Sequence, residues 1–143
     1  MAKQLQDNDI ARLVSNVTQP ILGTKAVVVS GAEDDPEHFM CLPLHGAPGF
    51  NVFMAMTSAG LLQLTSVMFG VESAAVDPSM MKDSLGELAN MAAGQIKAAM
   101  EPGHVLGLPA APNLPLELLR DARFVDLRAG TIPIRVYLVP LSN

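Results

Sequence analysis

The sequence predicts an α+β fold: an antiparallel or mixed β-sheet with long helices packed on one face. Three observations carry this. Apolar residues recur every three or four positions over 5–19 and 83–100, the period of a helix with one buried stripe. Apolar runs such as KAVVVS, HFMCLPLH and FNVFMAMT are bounded by Gly/Pro turns, as strands are. The two kinds of segment are grouped in the order α-βββ-αα-βββ, which gives a sheet with helices on a face in one domain spanning residues 1–143.

Taken in order, residues 5–19 read as an amphipathic helix with Leu5, Ile10, Leu13, Val14 and Val17 inward, ended by Pro20. Residues 25–30 read as a strand and 32–37 as a charged loop. HFMCLPLH (38–45) and FNVFMAMT (50–57) make a hairpin about the turn GAPG. Ser58 is placed to cap a helix running to Phe69, closed by Gly70. Asp77 followed by Pro78 is a start signal for a long helix to Met100. HVLGLP (104–109) is a strand, 110–122 a Pro-rich loop, and 123–130 with 131–140 a last hairpin. In the final strand Ile132, Ile134, Val136 and Leu138 share one face. Pro133 has no N–H to donate, which argues for an edge or a bulge there.

Composition narrows the function. Of 143 residues, 50% are hydrophobic and 16% charged, enough for a real core. The net charge of −5, without a run of Lys or Arg, argues against a nucleic acid or an anionic membrane as partner. The single cysteine, Cys41, excludes an internal disulfide and suits a reducing compartment. The opening MAKQLQDNDIARL has no apolar signal core, so a cytoplasmic location is expected. Residues 46–71 carry no charge and are long enough to cross a bilayer. Asn51, Gln63, Thr65, Pro48 and the glycines within them favour a strand and a buried helix instead. His38, His45 and His104 are scattered and Cys41–His45 has no second ligand pair, so no metal site is expected.

The long helix DSLGELANMAAGQIKAAM (83–100) is the most informative stretch. At about 100° per residue, Leu88, Ala89, Ala92, Ile96 and Ala99 fall on the side of Leu85. Asp83, Glu87, Asn90, Gly94, Lys97 and Glu101 cluster opposite. Glu87 and Asn90 are three apart and emerge side by side. A mid-helix glycine costs about 1 kcal/mol relative to alanine, so Gly94 on an exposed stripe suggests a partner that comes close.

ELANMAAG (87–94) resembles the Glu-x-x-Asn-x-x-x-Gly signature of the CheC/CheX/FliY chemotaxis phosphatases, and is most similar to CheX. The hairpin before Ser58, the helix ending in MFG (68–70), the strand LGLP (106–109) and the closing hairpin fall in the order that family shows. The resemblance implies a phosphatase acting on a phosphorylated response-regulator receiver domain of the CheY type. Asn90 would orient the attacking water and Glu87 would dock on a lysine of the receiver. Asp83, Gly94 and Lys97 would form the surrounding docking face. No cofactor of its own is implied, because Mg²⁺ would come with the receiver. The resemblance also implies a homodimer. CheC-type members carry the motif twice; here the first helix offers only Leu13-x-x-Asn16, without a glutamate, so one site per chain is expected. The alternative is a non-catalytic dimerisation or docking module that binds receivers in two-component or flagellar signalling. Retention of both Glu87 and Asn90 favours the enzyme.

Overall fold

A computed structural model describes residues 5–31, 34–100, 102–110 and 116–141. Glu101, residues 32–33 of the charged loop and residues 111–115 of the Pro-rich loop lie outside the described residues. The elements are α1 (Asp7–Leu22), β1 (Ala26–Val28), β2 (His38–His45), β3 (Phe50–Met56), α2 (Ser58–Phe69), α3 (Pro78–Ala99), β4 (Val105–Leu106), β5 (Arg123–Ala129) and β6 (Ile132–Pro140). Short 3-10 turns span Ser73–Ala75 and Leu116–Leu119. The expected order and the α+β class are both present.

Six strands form one sheet in the order β1-β5-β6-β3-β2-β4, with every pairing antiparallel. Strand alternation sends Met40, Leu42 and Leu44 of β2, Val52, Met54 and Met56 of β3, and Ile134 and Val136 of β6 to one buried face. All three helices cover that face, α1 over β1 and β5, α2 over β6, α3 over β2 and β3. The opposite face holds a smaller cluster, Phe53, Ala55 and Tyr137, with Leu119 of the second 3-10 turn packed on it. There Arg135 donates to Asp126 at 2.7 Å and lies 4.3 Å from the Phe124 ring centroid. The Asp126 carboxylate pushes the guanidinium pKa up.

Four local expectations are corrected. α1 runs two residues past Pro20. A proline so near the end forfeits one backbone hydrogen bond, and Gly23, at φ 73°, closes the helix by donating to the Gln19 carbonyl. Thr57, not Ser58, caps α2: its hydroxyl accepts from the Gly60 N–H at 3.1 Å. The Ser58 N–H and hydroxyl are taken instead by Glu37, whose carboxyl they hold below its usual range. The strand expected over 104–109 pairs regularly only at Val105–Leu106.

β6 is not at an edge but sits between β5 and β3. Pro133 is tolerated because β3 pairing ends at Ala55–Arg135, so at Pro133 only β5 is alongside. A central β6 offers no open edge for a second copy to pair with, so the dimer expectation rests on the resemblance alone. The true edges are β1 and β4. At β1 the Ser15 hydroxyl accepts from the Ala26 N–H at 2.9 Å and lies 3.0 Å from the Ala26 carbonyl, covering part of the edge. Among the described residues, no helix is long and apolar enough to cross a membrane.

Candidate active site

α3 is set by its N-terminus and its apolar stripe. The Asp77 carboxylate accepts from the Met80 N–H at 2.9 Å, and Pro78 follows at the first helical position, where a missing N–H costs nothing. The Met80 N–H and the Ser79 hydroxyl hold the Asp77 carboxyl below its usual range. Leu85, Leu88, Ala89, Ala92 and Ile96 are at most 2% exposed, which fixes the rotation of the helix. The stripe is wider than expected, since Ser84 and Ala93 are buried as well. Fixing that face inward leaves Asp83, Glu87, Asn90 and Lys97 exposed.

Three of the five expected site residues come together. Asp83, Glu87 and Asn90, with Lys82 and Gly86, form the α3 side of an open cleft of about 590 Å³. Met40 of β2 and residues Leu108, Pro109 and Ala110, which follow β4, complete it. Among the described residues, the side chains of Glu87 and Asn90 make no hydrogen bond or ion pair. A carboxylate and an amide one turn apart, free to meet an outside group, can both accept from a cation or water and donate to an anion.

Gly94 and Lys97 lie further along α3, outside the cleft. A Cβ built at Gly94 would meet nothing within 4 Å, so nothing inside the chain requires glycine there. Lys82, Met40 and the 108–110 segment were not singled out by sequence reasoning. LGLP read as plain strand, and only the proline that cannot donate in a ladder hinted otherwise.

Asn16 of α1 is occupied: its amide donates to Gln95 of α3 at 2.9 Å. The histidines are dispersed, His38 on Ser58 at 2.8 Å and His104 on the Pro48 carbonyl at 2.7 Å. Among the described residues, no group of three or more His, Cys, Asp or Glu is arranged to hold a metal ion. Burial pushes the Cys41 thiol pKa up, which disfavours the reactive thiolate.

The model of the chemotaxis phosphatase CheX family matches residues 39–117, more than half the chain. The chain belongs to the CheX family. Every residue of the cleft lies within the matched span. Among solved structures, a chain of the CheX–CheY–BeF3–Mg²⁺ complex from Borrelia burgdorferi is 14% identical, with a TM-score of 0.69 over 97% of this chain and 100% of its own. CheX from Desulfovibrio desulfuricans is 14% identical at a TM-score of 0.66, over 93% and 99%. The FliM middle domain from H. pylori reaches 0.54 at 9% identity, over 92% and 85%. At such identities these likenesses are ones of fold. No curated protein matches the chain.

Proposed function

We propose that this CheX-family chain hydrolyses the aspartyl phosphate of a phosphorylated receiver domain, with Asn90 orienting water and Glu87 fixing the dock. The observation that carries the reading is the pairing of Glu87 and Asn90. They are exposed, without a side-chain partner among the described residues, and open onto one cleft within the family's matched span.

The chemistry needs little more. A water oxygen bonds to phosphorus, the bond from phosphorus to the aspartyl oxygen breaks, and aspartate and inorganic phosphate separate. The leaving carboxylate has a pKa near 4, so no general acid is required. Phosphoryl transfer depends mainly on position and on neutralising charge on the phosphoryl oxygens. The Asn90 carbonyl oxygen can accept from the attacking water while its NH₂ donates to the phosphoryl group. A carboxylate in that place would repel the phosphoryl group. Glu87 belongs beside it, on a cation of the receiver, where a charge-assisted hydrogen bond contributes about 1.5–3 kcal/mol. Mg²⁺ enters with the receiver.

The test uses a panel of receiver domains from the source organism, phosphorylated by acetyl phosphate with Mg²⁺. Catalytic amounts of the chain should speed phosphate release from at least one of them. Binding without faster release, measured on that same receiver, would establish the non-catalytic docking module instead.

A further inference from the structure

We propose that Leu108 and Pro109 form an apolar docking knob that seats the receiver against Asn90. The inference rests on the proposed function and adds a specificity-determining contact to the same cleft.

The first observation is a break in register. Leu44 pairs with Leu106, but Cys41 pairs with Ala110. Three steps along β2 are thus matched by four on the returning strand, which is a bulge of one residue. Bulges re-aim side chains. Here the extra residue lies within 107–109. Pro109 has no N–H, so its place in the bulge forfeits no backbone donor.

The second observation is that the bulge is pinned on both sides. The Gly107 N–H donates to the Pro43 carbonyl at 2.8 Å, and Ala110 exchanges hydrogen bonds of 2.8 and 3.0 Å with Cys41. A Cβ on Gly107 would stand 2.6 Å from Pro43 Cγ, so glycine lets this segment lie flush on β2.

The third is exposure. Leu108 is 86% exposed, the most of any large hydrophobic side chain among the described residues; Val105, next, is 61%. The Leu108 side chain is held outward by a backbone fixed on both sides, in the cleft that holds Glu87 and Asn90. An apolar side chain already held in position beside a polar centre loses little freedom when a partner covers it, so its burial adds to affinity at low ordering cost. The matching chemistry is an apolar patch on the receiver next to its phosphorylated aspartate.

The experiment compares wild type, Leu108→Ser, Leu108→Met and Val67→Ala, the last removing apolar surface on α2 outside the cleft. Affinity is measured for the receiver carrying BeF3⁻, and KM and kcat for its phosphorylated form. Leu108→Ser should weaken binding by about tenfold, as expected for re-exposing a leucine-sized contact. Its loss should fall on KM rather than kcat. Leu108→Met should restore most of the affinity, and Val67→Ala should match wild type. Equal thermal midpoints would show that each variant folds.

Leu108→Ser binding within twofold of wild type would overturn the knob while leaving the phosphatase reading intact. Weakened binding in a chain that never accelerates phosphate release would support the knob and overturn the phosphatase reading. A wild-type chain that binds no phosphorylated receiver would overturn both.

Discussion

Asn16 and Asn90 are exposed asparagines on two helices that cover the same face of the sheet. Asn16 is spent on Gln95, tying α1 to α3. Asn90 is left without a partner among the described residues and opens onto a cleft. The difference is one of neighbours, not residue type. α1 lies beside α3, so the side of α1 that faces it becomes an internal contact. The Asn90 side of α3 opens instead onto the cleft it shares with Met40 of β2 and the bulged segment after β4. An amide saturated inside the fold holds helices together; one left free can act on something else.

The largest expected effect breaks that contrast directly. Asn90→Ala should lower kcat about 100-fold if its amide orients water, a loss of about 2.7 kcal/mol in the transition state. Affinity for the receiver should change far less. Single-turnover phosphate release and BeF3⁻-receiver binding separate the two, and an Asn90→Ala enzyme with wild-type kcat would refute the assignment.

Next is Glu87→Ala, which should weaken receiver binding about tenfold through loss of a charge-assisted hydrogen bond. Glu87→Gln should fall between, keeping shape without charge. Calorimetric titration at two salt concentrations checks this, because the wild-type advantage should shrink at the higher salt.

Gly94→Leu should reduce affinity about threefold to fivefold by holding the receiver away from α3. It should also stabilise the isolated chain by up to about 1 kcal/mol, since leucine is the better helix former and the site is open. A Gly94→Leu chain that binds as wild type would place the receiver entirely on the cleft side, away from Gly94 and Lys97.

A smaller effect concerns Ser84, whose buried hydroxyl has no hydrogen-bond partner among the described residues. Ser84→Ala removes an unsatisfied group and improves helix propensity, so chemical denaturation should show a gain of about 1 kcal/mol. The smallest is Asn16→Ala. It should cost about 0.5 kcal/mol of stability and leave phosphate release unchanged, the opposite pattern to Asn90→Ala.

Much of this molecule was legible before folding. The start of α3 at Asp77–Pro78, the limits of β2 and the Gly70 cap follow from chemistry confined to a few neighbouring residues. The polar stripe of α3 followed from period alone, because burying Leu85, Leu88 and Ile96 leaves one rotation for the helix. Local signals failed where a distant partner competed. Glu37 claims Ser58 from 21 residues away. Pro20 misled for a local reason instead: so near the helix end it forfeits one hydrogen bond, and Gly23 still closes the helix. Pro133 suggested an edge, yet β6 is central, because a proline needs freedom only on the side its nitrogen faces and β3 has ended there.

The sequence by itself determined the class of fold, the helix that carries Glu87 and Asn90, and the face they occupy, since all three depend on periodicity and on residues a turn apart. Tertiary structure decided what stands opposite them. The cleft exists because β4 returns beside β2 with one residue too many, turning Leu108 outward across from α3. It also decided that Asn16 is occupied while Asn90, among the described residues, has no partner. Register and helix–helix neighbours are set by contacts between residues far apart in the chain, and no local pattern encodes them.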